Sequence, residues 1–196
     1  MALKLFLAFM IGSVTTAATA VIEREMTAEE KGALPAWCAF TMSFDRTMRA
    51  PGHFDDHVAR YGEGWNHVHH YCRGLVDIMR YYTSDPLYKN KSHWANSAIG
   101  EIDYVLRNAP GDFLLNKEML FRKVRLQISE RKFRDAEKTA RDIVQRWPEA
   151  ADSHGALAEA LIGAKQHAEA KRALEAASAI VKDGQRLTQI KLALGL

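Results

Sequence analysis

The amino-acid sequence predicts an all-α protein, and three observations carry that expectation. Apolar residues recur at steps of three and four along most of the chain, the spacing that lines one face of a helix. Past residue 20, no stretch alternates apolar and polar residues over the four to eight positions that a half-buried strand needs. The last third also superimposes on itself at a shift of 34, placing Val124 on Ala158, Phe133 on His167, Ala136 on Ala170 and Ala140 on Leu174. A period of this length is the mark of stacked helix hairpins.

Composition fits a folded chain. Of 196 residues, 47% are hydrophobic and 26% charged, with 12 Gly and 5 Pro, which excludes a disordered tail, a collagen-like repeat and a low-complexity linker. Lys and Arg number 27 against 24 Asp and Glu, and a net charge of +3 does not point to nucleic acid. Residues 1–20 carry Lys4, an apolar run from Leu5 to Ile11 and the small-residue sequence Ala18-Thr19-Ala20. This reads as a secretory signal peptide cleaved after Ala20, since the apolar run is too short to cross a bilayer core of ~30 Å. Membrane association is expected only if that segment stays attached.

The elements follow in order. Thr27 with Glu30 three residues on is a capping box for a short first helix, ended by Gly32 and Pro35. A poorly periodic stretch leads to a turn at Ala50-Pro51-Gly52 and a helix over 54–61, which Gly62 and Gly64 break. In the helix predicted over 65–82, Trp65, Val68, Cys72, Leu75 and Met79 form one stripe, and Thr83-Ser84-Asp85-Pro86 stops it. Further helices are expected over 92–107, 113–130, 133–145, 152–164, 168–181 and 186–193, most joined by the short connections that antiparallel hairpins require.

The 34-residue period resembles the tetratricopeptide repeat family. With Ala151 as first position, the family's consensus sites fall on His154, Leu157, Ala158, Leu161, Ala170, Leu174 and Ala177, and six of the seven suit the pattern. Small residues such as Ala158 and Ala170 belong where the two helices of a hairpin cross. A copy starting at Lys117 fits through Leu120, Val124, Ala136, Ile143 and Pro148, but puts Lys123 and Gln127 at sites that are usually apolar. The expected organisation is a signal peptide (1–20), an N-terminal helical segment (21–116) containing a degenerate helix pair over 65–107, and repeats at 117–150 and 151–184 with a capping helix to 196. The N-terminal and final helices would cap a short solenoid of tetratricopeptide-like antiparallel hairpins, because one repeat cannot bury its own apolar face.

Upstream of the repeats, Leu34-Pro35-Ala36-Trp37-Cys38 and His69-His70-Tyr71-Cys72-Arg73-Gly74-Leu75 form an LPxxC and HHYCxGL pairing. It resembles exported bacterial tetratricopeptide proteins of no assigned activity, and implies no reaction. Two cysteines in an exported chain point to a Cys38–Cys72 bridge; free thiols in a metal site are the alternative. Five of 8 His lie between positions 53 and 70. His53 and His57 are spaced i,i+4, and His67 and His70 i,i+3, so each pair could chelate zinc or copper from one helical face. Against this stands packing of the same imidazoles as hydrogen-bonded side chains.

No GxSxG, GxxxxGK[ST] or GxGxxG occurs, and the residue pattern indicates no catalysis and no cofactor. The stretch 122–146 holds nine basic residues against four acidic. Among them Arg122, Arg125, Arg131, Lys132, Arg134, Lys138 and Arg141 could face an anionic glycan, as in exopolysaccharide assembly, or form a solvated face with internal ion pairs. The function expected is a non-catalytic scaffold in the bacterial periplasm, binding a protein partner of an envelope assembly along a groove lined by Lys117, Arg125, Ser153 and Glu159.

Overall fold

The computed structural model describes residues 26–41, 53–83 and 91–181; the expected signal peptide and the helix expected over 186–193 lie outside them. Helix α1 (Ala28–Ala33) begins at the anticipated capping box. The Glu30 backbone N–H donates to Thr27 Oγ1 at 3.1 Å, and the Thr27 N–H donates to Glu30 Oε2 at 2.8 Å. The chain then forms a 3-10 turn (Ala36–Phe40), absent from the sequence expectation, that lowers Cys38 into the interior. Helix α2 (Phe54–Tyr61) has the expected bounds and ends at Gly62, whose φ of 84° is a backbone conformation that favours glycine.

The helix expected from residue 65 starts three residues later. Glu63–His67 is a 3-10 turn, and α3 runs Val68–Thr83. The tightening has a packing reason: a side chain at Gly64 would meet the Phe113 ring at 2.5 Å, so the backbone of this turn rests directly on that ring. Phe113 is consequently held in a turn rather than a helix. Asn116 Nδ2 donates to the carbonyls of Pro110 and Gly111 at 2.8 and 3.0 Å, which delays α5 to Asn116–Ser129. Between them lies α4 (Lys91–Asn108); then follow α6 (Phe133–Arg146), α7 (Ala151–Gly163) and α8 (His167–Ile180), and no strand occurs among the described residues.

Helices α3 and α4, α5 and α6, and α7 and α8 pack as successive hairpins, and α6 also packs on α7. Gly74 lets α3 approach α4 closely, since a Cβ there would lie 3.4 Å from the Ala98 carbonyl oxygen. The apolar side chains form two cores that meet at α5. Met119 and Leu126 point into the first, with Trp65, Tyr71, Leu75 and Ile102; Leu120 and Val124 point into the second, with Ile143, Leu161 and Leu174. The junction of the N-terminal segment and the repeats is therefore a shared helix rather than a linker.

The 34-residue period reappears in the backbone. Arg131 and Lys165 have φ of 57° and 62°, and are the non-glycine residues with positive φ among those described. Each closes the first helix of its repeat in the same way. Lys132 N–H donates to the Gln127 carbonyl at 2.8 Å, and Gln166 N–H to the Leu161 carbonyl at 2.8 Å. A left-handed conformation costs a residue with a Cβ roughly 1–2 kcal/mol, part of which glycine loses again as chain entropy. Arg131→Gly and Lys165→Gly are each expected to stabilise the protein by about 1 kcal/mol, raising the thermal midpoint by about 2–4 °C; an unchanged or lower midpoint would contradict this.

Candidate functional site

Segment 26–41 is fastened along α3. Cys38 and Cys72 are joined by a disulfide across 34 residues, with Cα atoms 5.9 Å apart and both side chains buried. Trp37 stacks on Tyr71 at 6.1 Å and meets Trp65 edge-on at 6.0 Å. The Trp65 indole N–H donates to the Phe40 carbonyl at 3.2 Å, and Arg80 Nε donates to Glu30 Oε1 at 2.8 Å. The capping glutamate of α1 thus also anchors α1 to the far end of α3. As a result α3 is buried on nearly every side, through Val68, Tyr71, Cys72, Gly74, Leu75, Val76, Asp77, Ile78 and Tyr81.

Helices α5 and α7 differ in keeping a face open. On α5 it is formed by Lys117 and Arg125, both exposed, with Phe121 and Ile128 half-buried between them; 34 residues on, the same positions hold the half-buried Ala151, Glu159 and Ile162 and the buried Gly155. Lys117 Nζ also lies 5.8 Å from the centre of the Trp147 ring. Ser153 requires a correction. It is fully buried on the side of α7 that carries Leu157, Ala160 and Leu161, because steps of four and seven place it in the core stripe, so it cannot line a groove.

At the α3 edge of this face Tyr71 donates its O–H to Glu118 Oε1 at 2.8 Å, and Glu118 pairs with Arg122 at 2.9 Å. Burial, with Glu118 beside it, holds the Tyr71 phenol well above the ordinary range. Tyr71 thereby ties the first core to the first repeat. Its role was not legible in sequence, since it lies outside the helical stripe read there and its partner is 47 residues away.

The histidines divide into two groups. His57 Nδ1 donates to the His53 carbonyl at 2.7 Å, and the ring packs among Phe40, Tyr61 and Trp65, with ring centroids 4.8, 5.5 and 4.9 Å away. His53 lies 3.8 Å from Asp56. His67 and His70 instead rest on Tyr104 of α4, and His70 Nδ1 is 2.5 Å from Glu101 Oε2. The four residues His53, His57, His67 and His70 are therefore not one ligand set. Among the described residues no group of three or more His, Cys, Asp or Glu is arranged to hold a metal ion.

His69 has its own environment. Burial, with His70 and Arg73 adding repulsion, lowers its pKa to about 4. In the unfolded chain an imidazole titrates near ~6.5. Between these values the unfolded chain binds a proton that folded His69 refuses, so this contribution to stability is complete above about pH 6.5 and is lost as pH falls toward 4. Denaturation midpoints of the wild type should fall across that window, and those of His69→Gln should fall less; parallel curves would contradict the assignment.

Ion pairs within the fold occupy four of the nine basic residues of the 122–146 stretch. Arg122 pairs with Glu118, Lys123 with Asp103 at 2.6 Å, Arg141 with Glu137 and Glu169 at 2.9 and 2.5 Å, and Arg146 with Asp142 at 2.9 Å. Lys132 Nζ bonds Asn96 Oδ1 at 2.5 Å. Arg125, Arg131, Arg134 and Lys138 are exposed, but they stand on α5, on the turn and on α6 rather than along one helix. No described helix is long and apolar enough to cross a membrane.

Residues 118–193 match the tetratricopeptide repeat family model. That segment is similar to tetratricopeptide repeats. Neither a curated protein nor a solved structure matches the chain. The tetratricopeptide match takes in α5 to α8, where the doubled helix-closing turn and the alanine crossings occur. Modules of this family are generally non-catalytic and commonly bind protein partners.

Proposed function

We propose that this protein is a non-catalytic scaffold that holds a protein partner along the open face of α5 and α7, and that it works in the bacterial periplasm as part of an envelope assembly. The observation that carries the binding face is the contrast among parallel helices. Tyr71, Cys72 and Arg80 of α3 lie under segment 26–41, whereas α5 and α7 present Lys117, Phe121, Arg125, Ile128, Glu159 and Ile162 at repeat spacing. Half-buried apolar residues between exposed charges suit an amphipathic segment of a partner. Export is supported by the pattern of residues 1–20 and by the bridged cysteine pair. The anionic-glycan reading has weaker support, because ion pairs occupy much of the basic stretch.

The test is site-specific photo-crosslinking in cells of the source organism. A crosslinker at Arg125 or Lys117 is expected to capture one discrete partner, and one at Lys138 or Arg172 to capture none. Capture from the α6 and α8 positions alone would overturn the assignment of the face. Full protection of the mature chain from protease in spheroplasts, with the cell membrane intact, would overturn the location.

A further inference from the structure

The first turn of α3 carries an arrangement that the scaffold reading does not use. His69 Nδ1 is 3.1 Å from the Asn66 carbonyl oxygen, and His70 Nδ1 is 2.5 Å from Glu101 Oε2 of α4. An imidazole that donates from Nδ1 to an oxygen acceptor keeps its lone pair on Nε2. Both rings thus have their Nδ1 atoms engaged, and no protein hydrogen bond occupies either Nε2 among the described residues. Histidines that ligate metals are fixed in this way, one ring nitrogen held by a carboxylate or backbone carbonyl and the other directed at the ion.

The spacing of the rings also fits. Their centroids lie 4.4 Å apart with planes inclined at 44°. Imidazole nitrogens sit about 2.0–2.1 Å from a zinc ion, which holds the centres of two rings that share it on the order of 4–5 Å apart. Tyr104 also packs against His70, at 3.8 Å between ring centres, and restricts its ring. Glu101 and His70 have side chains about one-fifth exposed, 23% and 21%, which shelters their hydrogen bond while leaving the patch open to solvent.

We propose that His69 and His70, with Glu101 and the Asn66 carbonyl as their supports, form a surface site for one borderline divalent transition-metal ion, copper(II) or zinc(II). Two imidazoles leave the remaining positions to water, so the site is open and its ion exchangeable. Copper(II) binds more tightly than zinc(II), following the general order for nitrogen ligands. His53 and His57 take no part, since His57 is enclosed by Phe40, Tyr61 and Trp65. Arg73, one turn along α3, repels a cation.

Calorimetric titration of the full chain with copper(II) and with zinc(II) tests this, paired with spin-resonance spectra of the copper form. One ion per chain is expected, with nitrogen coupling from two imidazoles. His69→Ala and His70→Ala should each weaken binding at least tenfold, Glu101→Gln should weaken it roughly 10-fold or more, and Arg73→Gln should tighten it. His53→Ala/His57→Ala should leave it unchanged. Thermal melts of every variant separate loss of binding from loss of fold, and Arg73→Gln keeps the proposal testable even if the histidine variants unfold. Absence of saturable binding, loss through His93, His154 or His167 instead, or indifference to the His69 and His70 substitutions would overturn it.

Discussion

Replacing both cysteines, as Cys38→Ala/Cys72→Ala, is expected to lower the free energy of unfolding by roughly 3–4 kcal/mol, the loop-closure entropy of a 34-residue ring. The effect arises mainly in the unfolded chain, which gains the freedom that the bridge removes. It also has a folded-state component, because the bridge holds segment 26–41 on α3 together with the Trp37 stack and the Arg80 to Glu30 ion pair, while the Trp65 to Phe40 hydrogen bond holds it to the turn before α3. With Cys38 and Cys72 1% and 0% exposed, the native bridge should resist a thiol reductant that opens it readily once the chain is denatured. Urea titrations with and without the substitution, and thiol counts before and after denaturation, check both points. An unchanged midpoint would show that the segment is held without the bridge.

How much was legible in the sequence depended on how far apart the interacting residues lie. The Thr27–Glu30 capping box, the bounds of the Phe54–Tyr61 helix and the helices of the repeats follow from local spacing, and each is present. The late starts of α3 and α5 share one cause, the contact of Gly64 with Phe113, two residues almost fifty positions apart that no local pattern connects. The 3-10 turn at Ala36–Phe40 is likewise set by what it must reach, a cysteine on another helix. The exposure of Lys117 and Arg125 on α5 is in keeping with repeat register. Ser153 stands on the first helix of its repeat as expected, but its phase puts it in the core with its hydroxyl lacking a hydrogen-bond partner. The histidines show the same limit. Spacing suggested His67 with His70, whereas the nearest pair of rings is His69 with His70, brought together by oxygen acceptors on two different elements.

Trp65→Ala should cost about 3–5 kcal/mol, the usual range for removing a buried aromatic side chain. Trp65 is 3% exposed and sits where the segment 26–41, α2 and α3 converge, touching Trp37, His57 and Tyr61. The substitution leaves a cavity and also deprives the Phe40 carbonyl of its indole donor. Because the bridge and the indole fasten the same segment to α3 and to the turn that leads into it, their losses should not add: the triple variant is expected to lie closer to the worse of its parents than to their sum. The damage should also be graded along the chain. Neighbouring hairpins are coupled through α5, which faces both cores, so amide exchange should accelerate first in α1 to α3, next in α4 and α5, and least in α7 and α8, whose core of Leu157, Leu161 and Leu174 does not touch Trp65. Uniform acceleration in all eight helices would instead mean that the first core and the repeats unfold as one unit, and that the shared helix transmits the loss in full.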